Sequence, residues 1–160
     1  MEPTGDPVLA PFADPRALPP AVQPPRFPRV LVVDDNPVNL ELASALLSEL
    51  GAGPVLAGDG AAAVALALEL SPDLVLMDLQ MPVLDGVEAA RQIRRLEREH
   101  GRTRMPILAF TATRVDTQRL MDYGFDGLLL KPCEEPELLK CLQRWCTSAG
   151  PLIERAAGAG

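Results

Sequence analysis

The sequence predicts an α/β fold: a doubly wound, five-stranded parallel sheet with five helices packed on its two faces. Two observations carry that prediction. Short apolar runs alternate strictly with longer runs of helical periodicity, five of each along the chain. The runs RVLVV, DLVLM and PILAF are apolar almost throughout rather than at every second position, as expected of strands buried on both faces. Parallel neighbours need crossover connections, and right-handed crossovers put helices on both sides of the sheet.

The elements follow in order after a proline-rich start. Nine of the 17 prolines lie in residues 1–28, and Pro3, Pro7, Pro11, Pro15 and Pro19 recur at every fourth position. Proline fixes φ and has no N–H, so a flexible, partly polyproline II tail is expected there, with docking through Phe12 or Phe27 as the alternative. Residues 29–147 form the expected working domain, and residues 148–160 a short flexible C-terminal tail. Within the domain, Arg29 to Val33 is the first strand. Leu42, Ala43, Leu46, Leu47 and Leu50 recur at helical spacing from Val38 to Leu50, and Gly51 stops that helix.

Pro54 to Ala57 is the second strand and Gly60 to Leu70 an alanine-rich helix. Asp73 to Met77 is the third strand, and Asp85 and Gly86 open a helix that runs to about Glu99. Pro106 to Phe110 is the fourth strand, Val115 to Tyr123 a short helix and Gly127 to Leu130 the fifth strand. A last helix from about Glu135 to Cys146 turns Leu138, Leu139, Leu142 and Trp145 inward.

Composition narrows the function. The chain has 160 residues, 48% of them hydrophobic, and 22 acidic against 15 basic side chains, for a net charge of −7. That is one domain with a tail, and its acidity argues against binding nucleic acid or an anionic membrane. No apolar run approaches the ~20 residues of a membrane span and the N-terminus is unlike a signal peptide, so a cytoplasmic protein is expected. Cys133, Cys141 and Cys146 lack zinc spacing and are expected as free thiols. His100 is the single histidine, and no glycine-rich phosphate loop follows any strand.

Charge is segregated. From Val30 to Ala90 there is no Lys or Arg against ten carboxylates, and then come Arg91, Arg94, Arg95, Arg98, Arg102 and Arg104. A solvated helix face is the expectation for those arginines, with a basic docking patch as the alternative.

The chemistry gathers at strand ends, where ligands bind in sheets of this kind. Asp34 and Asp35 follow the first strand, Asp78 the third, Thr111 the fourth and Lys131 the fifth. With strand order 2-1-3-4-5, the first and third strands are neighbours and the three carboxylates meet at the switch point. Crowded carboxylates repel unless something neutralises them, and an oxygen-only set of this size suits Mg²⁺. Asp carboxylate is a competent nucleophile towards phosphorus, while Thr111 and Lys131 offer a hydroxyl and a positive charge to a transferring phosphoryl group. Taken singly these residues have plainer explanations: Asp35 and Asn36 before Pro37 as a helix cap, Asp78 as a turn, Thr111 as a cap. Asp85, before Gly86 and a helix, is assigned to capping. Lys131 is more telling, because the chain uses 13 Arg and only two Lys.

VLVVDDNPVNLELA, LVLMDLQMPVLDG, ILAFTA and GLLLKP, in this order and at these separations, resemble the response-regulator receiver domain of two-component signalling over about Arg29 to Thr147. The resemblance implies a flavodoxin-like fold and a phosphoacceptor rather than a turnover enzyme, with only self-phosphorylation and autodephosphorylation. It implies transfer to Asp78 from a phosphohistidine of a sensor histidine kinase or histidine phosphotransfer protein. It further implies Mg²⁺ held by Asp34, Asp35, Asp78 and the backbone carbonyl of Gln80, with Thr111 and Lys131 contacting the phosphoryl group and a cis bond before Pro132. DDNPVN and MDLQMPVLDG are similar to receivers of hybrid kinases and phosphorelays more than to those of DNA-binding regulators.

Three departures from the family pattern bear on output. Leu128 stands where Tyr or Phe usually reports phosphorylation, the segment from Thr111 to Lys131 is slightly short, and only about a dozen mostly small residues follow the last helix. The expectation is a stand-alone response regulator, monomeric or weakly dimeric, without a DNA-binding output domain, signalling by contact with a downstream protein target. The alternatives are a phosphorylation-independent interaction module that keeps only the fold and an aspartyl-nucleophile phosphohydrolase. The latter usually carries an acid two residues past its nucleophile, where this chain has Gln80.

Overall fold

A computed structural model describes residues 27–79, 81 and 85–146. The proline-rich stretch up to residue 26, Gln80 and the stretch from residue 147 onward lie outside the described residues.

The elements run β1 (Arg29–Val33), α1 (Pro37–Glu49), β2 (Gly53–Ala57), α2 (Gly60–Leu70), β3 (Leu74–Met77), α3 (Gly86–Glu99), β4 (Ile107–Thr111), α4 (Thr117–Tyr123), β5 (Gly127–Leu130) and α5 (Glu135–Trp145). The five strands pair in parallel in the order β2-β1-β3-β4-β5, the doubly wound arrangement expected from the sequence.

Strand side chains alternate between two cores, which is why the strands are apolar throughout. Leu31, Val33, Val75, Met77, Ile107 and Ala109 face α2, α3 and α4, where Ala63, Ala67, Ile93, Leu120 and Phe125 pack. Val30, Val32, Leu74, Leu76, Leu108 and Phe110 face α1 and α5, against Leu47, Leu138 and Leu142. A strand wetted on one face would show period-two polarity instead.

Local chemistry sets the helix starts. The Asn36 side chain accepts from the Val38 amide at 2.9 Å with Pro37 at the first helical position. Asp59, Asp85 and Asp116 cap α2, α3 and α4 in the same way, so Asp85 has the capping role expected of it. The short helix α4 begins at Thr117, two residues later than expected, because Asp116 is its cap.

Two side chains depart from the sequence reading. Leu42, expected inward on α1, is 62% exposed, because α1 buries only Ala43 and Leu47 and its next turn overhangs an open groove walled by Phe110, Pro132 and Cys133. Arg94, expected on a solvated face, is only 5% exposed. It donates to the Gly124 and Met105 carbonyls and to the Glu97 and Asp126 carboxylates at 2.7–2.9 Å. Asp126 in turn accepts from the Ile107 amide and from Arg104. This cluster ties α3 to the entrances of β4 and β5. Among the described residues no helix is long and apolar enough to cross a membrane.

Candidate functional site

The site assembles where strands β1, β3, β4 and β5 end. Asp34 directly follows β1, and its amide donates to the Ala57 carbonyl of β2 at 3.1 Å. Its side chain is 1% exposed. One carboxylate oxygen accepts from the Asn36 amide at 2.9 Å, and the other from Asn39 Nδ2 at 3.1 Å and from Lys131 Nζ. The loop that caps α1 thus also fixes this carboxylate.

Asp35 is exposed beside it. Asp78 leaves β3, held by its amide to the Val33 carbonyl at 2.9 Å, and is 9% exposed. Carboxylate oxygens of Asp34, Asp35 and Asp78 lie within 4.8 Å of one another. The donor set is all oxygen and carries three formal charges in a small volume. It fits a hard divalent cation, the class to which Mg²⁺ belongs.

The counter-charge comes from the far edge of the sheet. Lys131 follows β5, its amide donates to the Thr111 carbonyl at 2.9 Å, and its amine bonds Asp34 and lies 3.7 Å from Asp78 Oδ2. The amine also sits 5.2 Å above the Phe110 ring, so its stem is steered by the end of β4. The Lys131–Pro132 peptide is cis, as the resemblance implies. Thr111 is buried at the end of β4, and its hydroxyl accepts from the Thr113 amide at 3.3 Å.

Asp34, Asp35, Asp78 and Lys131 are therefore brought together, and Thr111 is joined to them through the Lys131 backbone. Gln80 falls outside the described residues. Leu128, at the position noted for its missing ring, is half-buried against the core shared by α2, α3 and α4.

One residue of the site had a weaker sequence signal than it merits. A Cβ on Gly86 would stand 2.0 Å from the Asp78 carbonyl oxygen, so the start of α3 comes this close to the end of β3 only because residue 86 has no side chain. The Asp85–Gly86 pair signals a helix start but says nothing of this close approach. The three cysteines are free thiols, as expected. Burial, assisted by Glu137 and Glu134, pushes Cys133 up to about 11, and burial first of all pushes Cys141 and Cys146 up to about 12. All three stay protonated at neutral pH and add no nucleophile to the site.

Known proteins share this arrangement. The model for the response regulator receiver domain matches residues 30–143. Sensor protein GacS of Pseudomonas syringae is 41% identical over 142 residues, which cover 86% of this chain but 16% of that protein. The receiver domain of sensor histidine kinase PA1611 from Pseudomonas aeruginosa, solved with magnesium coordinated in its active-site cleft, is 39% identical with a TM-score of 0.66, covering 75% of this chain and 98% of that one. The receiver of Ssk1 from Saccharomyces cerevisiae, solved with the phosphotransfer protein Ypd1, is 33% identical with a TM-score of 0.70, over 78% and 94% of the two chains. With the five-stranded order, the carboxylate triad and the distant lysine all in place, the match over residues 30–143 settles the kinship: this chain belongs to the response-regulator receiver domain family of two-component phosphorelay signalling.

Proposed function

We propose that the protein takes a phosphoryl group from a phosphohistidine onto Asp78 and passes the signal on by protein contact. The observation that carries this reading is the meeting of Asp34, Asp35 and Asp78 beside the Lys131 amine. Three carboxylates this close crowd negative charge into one small volume, which suits a divalent metal. Asp34, Asp35 and Asp78 would hold Mg²⁺, with the Gln80 carbonyl as a further ligand. When bound, the ion offsets charge on the phosphoryl oxygens.

The remaining chemistry belongs to the chain. An Asp78 carboxylate oxygen forms the new bond to phosphorus as the donor's N–P bond breaks, and the electron pair returns to the donor imidazole, which is left neutral or takes a proton. Lys131, already beside Asp78, offers positive charge to the equatorial oxygens, and the Thr111 hydroxyl offers a donor. Exposed Leu42 flanks the groove beside Lys131 and supplies apolar surface on which a phosphotransfer protein can seat. Leu128 has no ring to turn, so a readout at this position works by aliphatic repacking.

The test is incubation with Mg²⁺ and acetyl phosphate, followed by intact mass. The reading expects one added phosphoryl group in the wild type and none in Asp78→Ala. An unlabelled wild type, beside a labelled control receiver, overturns it in favour of a phosphorylation-independent module. Steady hydrolysis of phosphate esters without an adduct would instead favour the hydrolase.

A further inference from the structure

Away from the phosphoryl site, α3 and α4 present a surface of unusual composition. Arg91, Arg95 and Arg98 lie along one stripe of α3, and all three are exposed. One turn back from Arg98 stand Arg94 and Arg95, and one turn forward from Arg91 stand the same two residues. A helix face built only for solubility alternates signs at this spacing, because like charges at i,i+4 destabilise it. Here relief is slight. Arg95 reaches Glu99 at 3.8 Å with both side chains exposed, while neither Arg91 nor Arg98 forms an ion pair among the described residues.

The second observation is independent of charge. Arg91 lies 5.3 Å above the ring of half-buried Tyr123, and Met121 beside it on α4 is 61% exposed. These side chains, with Arg95, Arg98 and Arg104, line a depression of about 450 Å³ into which only Glu88 and Asp122 bring negative charge. Arg, Tyr and Met are the residues enriched where proteins bind proteins. A small-molecule pocket is mostly apolar with a few polar groups, and this wall is the reverse.

We infer that the α3–α4 face is a docking surface for a carboxylate-rich surface of a second protein, with an apolar side chain of that partner against Met121 and Tyr123. Guanidinium groups match carboxylates in paired, planar hydrogen bonds, and the stacked Arg91 is held ready for one. Arg94 is spent on Glu97 and Asp126 and takes no part. The inference does not rest on phosphorylation of Asp78, and its test uses unphosphorylated protein.

The test is an NMR titration of the full chain with a synthetic glutamate-rich peptide carrying one leucine, followed at the arginine Nε–H groups. Saturable shifts are expected at Arg91, Arg95 and Arg98 and around Met121, weakening on the order of tenfold from about 50 to 300 mM salt. Exposed-site reversal Arg91→Glu with Arg98→Glu should weaken binding roughly tenfold or more, since charge complementarity would be inverted, and should leave acetyl phosphate labelling intact. Met121→Ala, which leaves the charge unchanged, should weaken it as well. Undiminished binding in the double reversal overturns the proposal. So do equal shifts at Arg114, Arg119 and Arg144, which mean non-specific attraction, and tighter binding of ATP than of peptide at the same resonances, which means a small-anion site.

Discussion

Two charged clusters sit at opposite ends of the sheet, built from the same kinds of side chain in opposite proportions. At the strand entrances, Arg94 meets Glu97 and Asp126 and also two backbone carbonyls, and Asp126 takes a second arginine and the Ile107 amide. Every group there has a partner, and the cluster stitches loops together. At the strand exits, Asp34, Asp35 and Asp78 gather, and Lys131 bonds Asp34 and lies beside Asp78. Both clusters bury charge, so burial alone does not tell them apart: at the entrances carboxylates and guanidinium groups alternate, whereas at the exits carboxylates crowd together beside one another and Lys131.

The comparison breaks or holds on a pair of variants. Asp78→Asn should abolish acetyl phosphate labelling while leaving stability in EDTA within about 1 kcal/mol of wild type, because it relieves crowding among like charges; urea titration and intact mass check the two halves. Arg94→Ala should do the reverse. Leaving buried Glu97 without its cation, and Asp126 with Arg104 alone, should cost about 3–5 kcal/mol in urea unfolding, while whatever fraction remains folded is still labelled. If Arg94→Ala unfolds nothing, the two ends do not differ as argued.

Smaller effects sharpen the contrast. Mg²⁺ at about a hundred times its dissociation constant should raise stability by about 2.7 kcal/mol, and Asp34→Asn should remove most of that gain, since it deletes a charge from the cluster; thermal melts with and without EDTA measure both. Asn36→Ala should cost about 1 kcal/mol through the lost cap of α1, and it should slightly weaken the Mg²⁺ effect because the same turn supplies the amide that holds Asp34.

The strand-exit cluster was far more legible in the sequence than the strand-entrance one. Asp34, Asp78, Thr111 and Lys131 each close an apolar run, so topology alone carries them to one edge of the sheet. Arg94 had no such marker. It lies among Arg91, Arg95 and Arg98 at helical spacing, and only the entry of Gly124 and Asp126 beneath α3 separates it from its exposed neighbours. Leu42 fails for the converse reason: its spacing fits the buried stripe of α1, but no helix closes over that turn. Gly86 shows as a helix opener, yet its close approach to the Asp78 carbonyl depends on how α3 packs against the end of β3, which composition does not encode.

The bond between Lys131 and Asp34 joins residues 97 positions apart. A chain emerging from a ribosome therefore has its acidic residues long before it has the amine that answers them. Until β5 is out and paired along β4, the nascent protein holds Asp34 and Asp78 without the lysine that lies beside them. On the function proposed above, fragments ending before residue 131 lack that amine and should take no label from acetyl phosphate, however well their earlier strands assemble.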